Sequence, residues 1–224
     1  MAKAELAKRK IDPKMFDYGA LGFSVPQKHS FYGLPWLTGM IGAPRAGGPT
    51  LMQACATGVR TLLAVTQEIE AGMATTALAI NCDRTSNGPH IYYPNPRGAG
   101  GTGTAEDWVM ENFNCDPLGG HTMLQTAENV AAKHGIGTAE QHELVLRREE
   151  QYRMSLANDS AFLRRFMTLP FDVPTPNYKK VANSMTGDEG VSQSTPEGLA
   201  KLKPVMPCLL YTSPSPRDGL LSRM

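Results

Sequence analysis

The chain is poor in cysteine, with four in 224 residues, at positions 55, 82, 115 and 208. No two of them form a CxxC pair, and so few thiols in so long a chain exclude a disulfide-built scaffold. All four are expected as thiols in a reducing compartment. The five histidines, His29, His90, His121, His134 and His142, lack metal-ligand spacing with one another or with the cysteines, so no metal site is expected. Charge of one sign is missing too. Twenty-two Lys and Arg against 21 Asp and Glu leave a formal +1, which gives no general pull toward nucleic acid or a membrane surface. There is no apolar run long enough to span a bilayer. The opening MAKAELAKRK lacks the apolar stretch of a secretory signal. The expected location is intracellular and cytoplasmic, with organelle targeting left open.

What is present is a globular composition, 41% hydrophobic and 19% charged, with 22 Gly and 17 Pro gathered in loops. Residues 2–10 read as a helix, 20–25 as a short strand, and 36–40 as a short helix. From Thr50 to Ala54 the chain reads as extended. VRTLLAVTQEIEAG, from Val59, reads as a helix with Val59, Leu62, Leu63, Thr66 and Ile69 on one stripe and Gly72 as its stop. ATTALAIN, from Ala74 to Asn81, reads as a buried strand covered on both faces. Strand, helix, strand in this order predicts an α/β layer with a parallel sheet.

Residues 84–104 read as one long loop, and Trp108 to Phe113 as a helical turn. Met123 to His134 is a helix ended by Gly135. Thr138, answered by Gln141, reads as the cap of a further helix with Leu144, Val145 and Tyr152 turned inward. A short helical piece is expected from Asp159, and irregular chain with at most short strands over 170–195. Thr195 and Pro196 read as a cap and first turn. The glycine-rich stretch Gly98 to Gly103 does not sit between a strand and a helix, so a dinucleotide reading fails its context.

Cys55 lies between the extended segment and a helix opening with Ala56, Thr57 and Gly58. Free N–H groups at a helix start stabilise a thiolate, and small neighbours allow close approach of a ligand. That setting suits a nucleophile taking an acyl group. The alternative is a core thiol, a common fate of cysteine.

The run GGPTLMQACATGVRTLLAVTQEIEAG resembles the nucleophile segment of the thiolases. DRTSNGPHIYYPNPRGAGGTG, MLQTAENVAAKHGI, TAEQHELVLRREEQY and DEGVSQSTPEGLAKLKPV follow in thiolase order, so the resemblance covers about residues 47–205. It implies a thiolase-like N-terminal half, residues 1–83, with a partly parallel sheet covered by helices. A loop-rich region, residues 84–205, would cover coenzyme A. By the same resemblance Cys55 is the acyl-thioester nucleophile. Met123 would line the pantetheine and acyl pocket, and Arg147 and Arg148 would meet coenzyme A phosphates. A solvated helix face is the alternative for the two arginines. Coenzyme A and acyl-CoA would be substrates, with no permanently bound cofactor, and the parent family forms homodimers or homotetramers. The family form Asn-x-x-Cys-x-Ser-Gly is here Met52-Gln53-Ala54-Cys55-Ala56-Thr57-Gly58.

The family's remaining catalytic groups lie in a second half: a histidine in Gly-His-Pro, a cysteine in Cys-x-Gly and an asparagine in Asn-Glu-Ala. None of these motifs occurs in this sequence; Gly120-His121 is followed by Thr122, and Cys208 has Leu210 two residues on. The resemblance therefore implies a chain incomplete at both ends, and the Ser-Pro-rich stretch over 206–224 is expected to be foreign and disordered. A polypeptide of this kind would be inactive, or a non-catalytic module that binds coenzyme A or a partner subunit.

Overall fold

The computed structural model describes residues 1–206 except 176 and 178. Cys208 and nearly all of the 206–224 stretch lie outside the described residues. The chain forms two compact units, 1–114 and 115 onward.

The first unit is built on a three-stranded parallel sheet, β1 (Tyr18–Gly22), β2 (Thr50–Leu51) and β3 (Ala77–Asn81), in the order β2-β1-β3. Leu21 pairs with Thr50, and Ala20 with Ala79. Helix α1 (Ala2–Lys8) and helix α2 (Leu34–Ile41) lie on one face, where Phe16, Ile41, Ala43 and Ala46 form a core joined by Leu6, Leu37, Leu78 and Ile80. Helix α3 (Thr57–Glu70) covers the other face. The expected parallel sheet with helical cover is therefore present.

Small residues on both sides set the distance between α3 and the sheet. A Cβ at Gly22 would stand 2.4 Å from Thr61 Oγ1 and 2.7 Å from Thr57 Cγ2, so only glycine admits the helix there. The apolar stripe is therefore not the face that α3 turns to the sheet. Its inward residues are Thr57, Thr61 and Val65, whereas Val59 and Leu62 are 73% and 57% exposed, and Leu63 and Ile69 are exposed with them. Likewise β3 is an edge strand and half-buried, not fully buried.

Two aspartates clamp β1 to β3 at opposite ends. Asp17 accepts N–H bonds from Thr75 (3.0 Å) and Thr76 (3.1 Å), and these bonds hold its carboxyl below the usual range. Asp83 accepts from Ser24 (2.9 Å) and Val25 (2.7 Å).

The expected 84–104 loop contains a hairpin, β4 (His90–Tyr93) with antiparallel β5 (Thr104–Asp107), followed by α4 (Met110–Asn114). Tyr93 Oη donates to Glu106 at 2.7 Å. The indole N–H of Trp108 reaches back to Ser24 O at 2.9 Å, which ties this segment into the first unit. The first compact unit accordingly includes this segment and ends at 114.

The second unit holds α5 (Met123–His134), α6 (Thr138–Ser155), the turn α7 (Ala157–Ser160), the hairpin β6 (Phe171–Pro174) and β7 (Val181–Met185), and α8 (Pro196–Ala200). Thr122 caps α5 by accepting from Gln125 N at 3.1 Å, and Gly135, at φ 65°, ends it. Helix α6 starts one residue earlier than its expected cap. Gly137 is the N-cap, and its N–H donates to Glu140 at 2.7 Å. Its inner face carries Val145, Glu149 and Tyr152, while Leu144, expected inward, is exposed. Glu149 accepts from Ser194 N at 2.8 Å and from Ser194 Oγ, and Tyr152 Oη accepts from Asp188 N at 2.8 Å. Thr195 caps α8 through Gly198 N at 3.0 Å. Glu128 on α5 is buried, and its Oε2 has no partner among the described residues.

Candidate active site around Cys55

Because all three strands of the first sheet are parallel, their C-terminal ends lie along one edge. In open α/β sheets ligands bind outside that edge. Ser24 follows β1, Asp83 follows β3, and the segment 52–56 follows β2. Cys55 occupies a single 3₁₀ turn (Ala54–Ala56) that runs directly into α3, and it is exposed. Its thiol therefore stands at the positive end of a four-turn helix and at the ligand-binding edge of the sheet.

The turn is bent sharply. Ala54 has φ 43°, a left-handed conformation that costs an L-residue about 1–2 kcal/mol. Hydroxyl groups hold it there. Ala54 O accepts from Thr57 Oγ1 at 2.7 Å and from Ser24 Oγ at 2.9 Å, and the two hydroxyls lie 3.1 Å apart. Thr57 Oγ1 also accepts from Gln53 N at 2.9 Å. Ser24 is fixed in turn by Asp83 at its N–H and by Trp108 at its carbonyl. Thr57, two residues on, and Ser24, distant in sequence, thus pin the backbone leading into Cys55, with Asp83 and Trp108 holding Ser24. Sequence reasoning placed Thr57 in the motif but missed Ser24, Asp83 and Trp108, which converge only through the strand order. Cys82, beside Asp83, has its thiol pushed up by burial first and by the Asp83 charge second.

Beside the turn is a cavity of about 230 Å³ lined by Ser24, Val25, Met52, Ala54, Trp108, Val109, Asn112 and Phe113, with a mainly apolar surface.

The other expected site residues belong to the second unit. Met123 is the first residue of α5 and partly exposed. Arg147 and Arg148 are exposed on α6. Arg148 Nη1 donates to Gln151 at 3.0 Å. Arg147 and Arg153 line a polar cleft of about 470 Å³ that also holds Glu143, Glu149 and Glu150. Three carboxylates against two guanidinium groups do not make a simple anion pocket. Among the described residues no three His, Cys, Asp or Glu side chains gather closely enough to hold a metal ion, and no helix is long and apolar enough to cross a membrane.

The model of the thiolase N-terminal domain matches residues 1–208. An acetyl-CoA acetyltransferase of Chromobacterium violaceum is 32% identical over 158 residues, which are 69% of this chain and 39% of that protein. The crystal structure of human mitochondrial 3-ketoacyl-CoA thiolase superposes with a TM-score of 0.73 at 27% identity, covering 91% of this chain and 51% of that one. The human mitochondrial enzyme in complex with CoA gives 0.72 at 25% identity, covering 91% and 50%. The chain thus spans about half the length or less of the relatives it matches.

Proposed function

The chain belongs to the thiolase family through its N-terminal domain, and from that premise we propose that Cys55 accepts an acyl group from a coenzyme A thioester. The Cys55 sulfur, as thiolate, adds to the thioester carbonyl. The tetrahedral intermediate collapses by breaking the bond to the coenzyme A sulfur, and the departing thiolate takes up the proton that Cys55 gave up. Free coenzyme A, or the α-carbon of a second acyl-CoA, then takes the acyl group from sulfur. Coenzyme A and acyl-CoA are substrates here, no cofactor is permanently bound, and the chemistry belongs to the intracellular, cytoplasmic metabolism of lipids.

The observation that carries this reading is the placement of an exposed cysteine on a hydroxyl-braced, left-handed turn at the mouth of α3. A turn held by the Ser24 and Thr57 hydroxyls orients the sulfur before substrate arrives, which is where positional catalysis gains most. The sequence has no Gly-His-Pro, Asn-Glu-Ala or Cys-x-Gly motif. Acid–base help is worth about 10²–10⁴-fold and oxyanion donors a comparable factor, so the residues present support the acylation step without those contributions. On the resemblance alone, Met123, Arg147 and Arg148 are proposed as contacts of coenzyme A.

Incubation with isotopically tagged acetyl-CoA, followed by peptide mass spectrometry, tests the assignment. An acetyl mark on Cys55, absent in Cys55→Ser, is expected. Marks confined to lysines, or none across neutral to alkaline pH, refute it.

A second reading, a non-catalytic module that binds coenzyme A or a partner subunit, is favoured by one feature. The outer face of α3 presents Val59, Leu62, Leu63 and Ile69 to solvent, an apolar stripe of the kind covered by further protein. The family's homodimers and homotetramers fit that reading as well. Calorimetry with coenzyme A separates the two: binding without any Cys55 adduct selects the module.

A further inference from the structure

Trp108 lies between β5 and α4, on backbone that is fixed from several directions. Its N–H donates to Pro89 O at 3.1 Å, and its carbonyl accepts from the Asn112 amide at 2.8 Å. The next residue, Val109, is buried, and its N–H donates to Asp107 Oδ1 at 3.1 Å. A Cβ at Gly88 would stand 2.4 Å from Val109 Cγ2, so the turn before β4 closes directly on this frame. From it the half-buried indole reaches 84 residues back along the chain to Ser24 O.

The Ser24 carbonyl and the Val25 N–H belong to one planar peptide unit. Trp108 holds the oxygen end of that plane at 2.9 Å, and Asp83 holds the N–H end at 2.7 Å. Asp83 also accepts the Ser24 N–H at 2.9 Å, which fixes the plane before it. With both flanking planes set, φ and ψ of Ser24 are set, and with them the direction of its Cα–Cβ bond. From there the hydroxyl reaches Ala54 O at 2.9 Å and Thr57 Oγ1 at 3.1 Å. Ala54 O lies in the peptide plane that leads into Cys55, so the chain of bonds from the indole ends on the backbone of that residue.

We propose that Trp108 is a positioning residue: its indole N–H, acting through Ser24, fixes the turn that carries Cys55. The effect on acylation rests on Cys55 being the acyl carrier, while the effect on the turn stands independently of it.

The test removes the N–H and keeps the ring. In the full chain with Trp36→Phe, Trp108 is the single tryptophan, and tryptophan-starved growth on β-(3-benzothienyl)alanine puts sulfur in place of the indole nitrogen. Acetylation of Cys55 by acetyl-CoA should slow about three- to tenfold, the equivalent of one hydrogen bond, while alkylation by iodoacetamide keeps its rate. In a Ser24→Ala background the same exchange should cost nothing further, because the link is already cut. A ring that merely packs would cost the same in both backgrounds. Trp108→Phe, made without the unnatural residue, should likewise cost less when Ser24 is alanine. Equal slowing with and without Ser24, or no slowing in the parent, overturns the proposal.

The Gln53 amide supplies an arm that needs no acylation. It donates to Thr57 Oγ1 across the turn at 2.9 Å. Its hydrogen exchange, read by NMR, should quicken by a similar factor when the indole N–H is lost, again only with Ser24 present. If no variant, the parent included, gains an acetyl mark, Cys55 is rejected as carrier and Gln53 exchange alone decides the role of Trp108. If the parent is acetylated and neither rate depends on the indole N–H, the carrier stands and the positioning role falls.

Discussion

Replacing Ala54 by glycine separates the shape of the turn from the hydrogen bonds that hold it. Ser24 and Thr57 both bond the carbonyl of residue 54, which survives any substitution. What changes is the cost of φ 43°. An L-residue there carries a penalty of about 1–2 kcal/mol, and glycine removes it. Glycine also loosens the unfolded chain, which returns about 0.4–1 kcal/mol. The difference is a net stabilisation of roughly 0.5–1 kcal/mol. With a urea slope of about 2 kcal/mol/M, the midpoint should rise by roughly 0.3–0.5 M. The chemistry should move the other way. Alkylation of the exposed Cys55 by iodoacetamide should be unchanged, since it needs access only. Acylation by acetyl-CoA needs the sulfur aimed, and should slow about tenfold, within the range that small misplacements cost. Ala54→Val is the counter-test: a β-branched side chain resists positive φ, and the midpoint should fall. A glycine variant less stable than the parent by 1 kcal/mol or more, or a valine variant of equal stability, would falsify the claim that strain is stored in this turn.

Three other outcomes follow from the same geometry. Asp83→Ala frees the N–H groups of Ser24 and Val25 and should cost roughly 1–2 kcal/mol, at the low end for bonds to an exposed charge, read as a lower urea midpoint together with slowed Cys55 acylation; an unchanged midpoint removes Asp83 from the bracing set. Asp17, held below its ordinary value by Thr75 and Thr76, contributes stability that is present above about pH 4 and lost as pH falls through its folded value. Urea midpoints should therefore drop between about pH 5 and about pH 3 more steeply for the parent than for Asp17→Asn, and parallel acid limbs would contradict this. On α3, Val59→Lys with Leu62→Glu should reduce binding of a hydrophobic dye and raise solubility, while stability changes by less than about 0.5 kcal/mol, as for other surface positions; a large loss of stability would mean that the stripe is buried after all.

The features legible in the sequence are those written by local chemistry. Helix α5 is delimited as expected because Thr122 and Gly135 act on their own neighbours. The parallel sheet followed from an extended segment, a helix and an apolar strand in that order. The turn at Thr195-Pro196 was equally local. At α6 the N-cap is Gly137, one residue before Thr138, and its N–H donates to Glu140. Longer-range features were harder to read. Periodicity identified the stripe on α3 but not its direction, since the inward face is the one where Thr57 and Thr61 approach Gly22 across the sheet. The β4–β5 hairpin hid in glycine, proline and asparagine because its pairing is visible only across strands. Within the candidate site, Cys55 was recognisable from its neighbours, whereas Ser24, Asp83 and Trp108 bear ordinary side chains whose meeting depends on the order β2-β1-β3.

That order has a consequence for how the molecule comes into being. The crossover through α3 joins two strands that never touch; each bonds only to β1, which was synthesised well before either. Pairings between such remote stretches are slow to find one another, so the bend at residue 54 cannot be braced until the central strand has gathered both its neighbours. In a nascent or unravelled chain the cysteine sits on unshaped backbone, and only the finished sheet sets it on its turn.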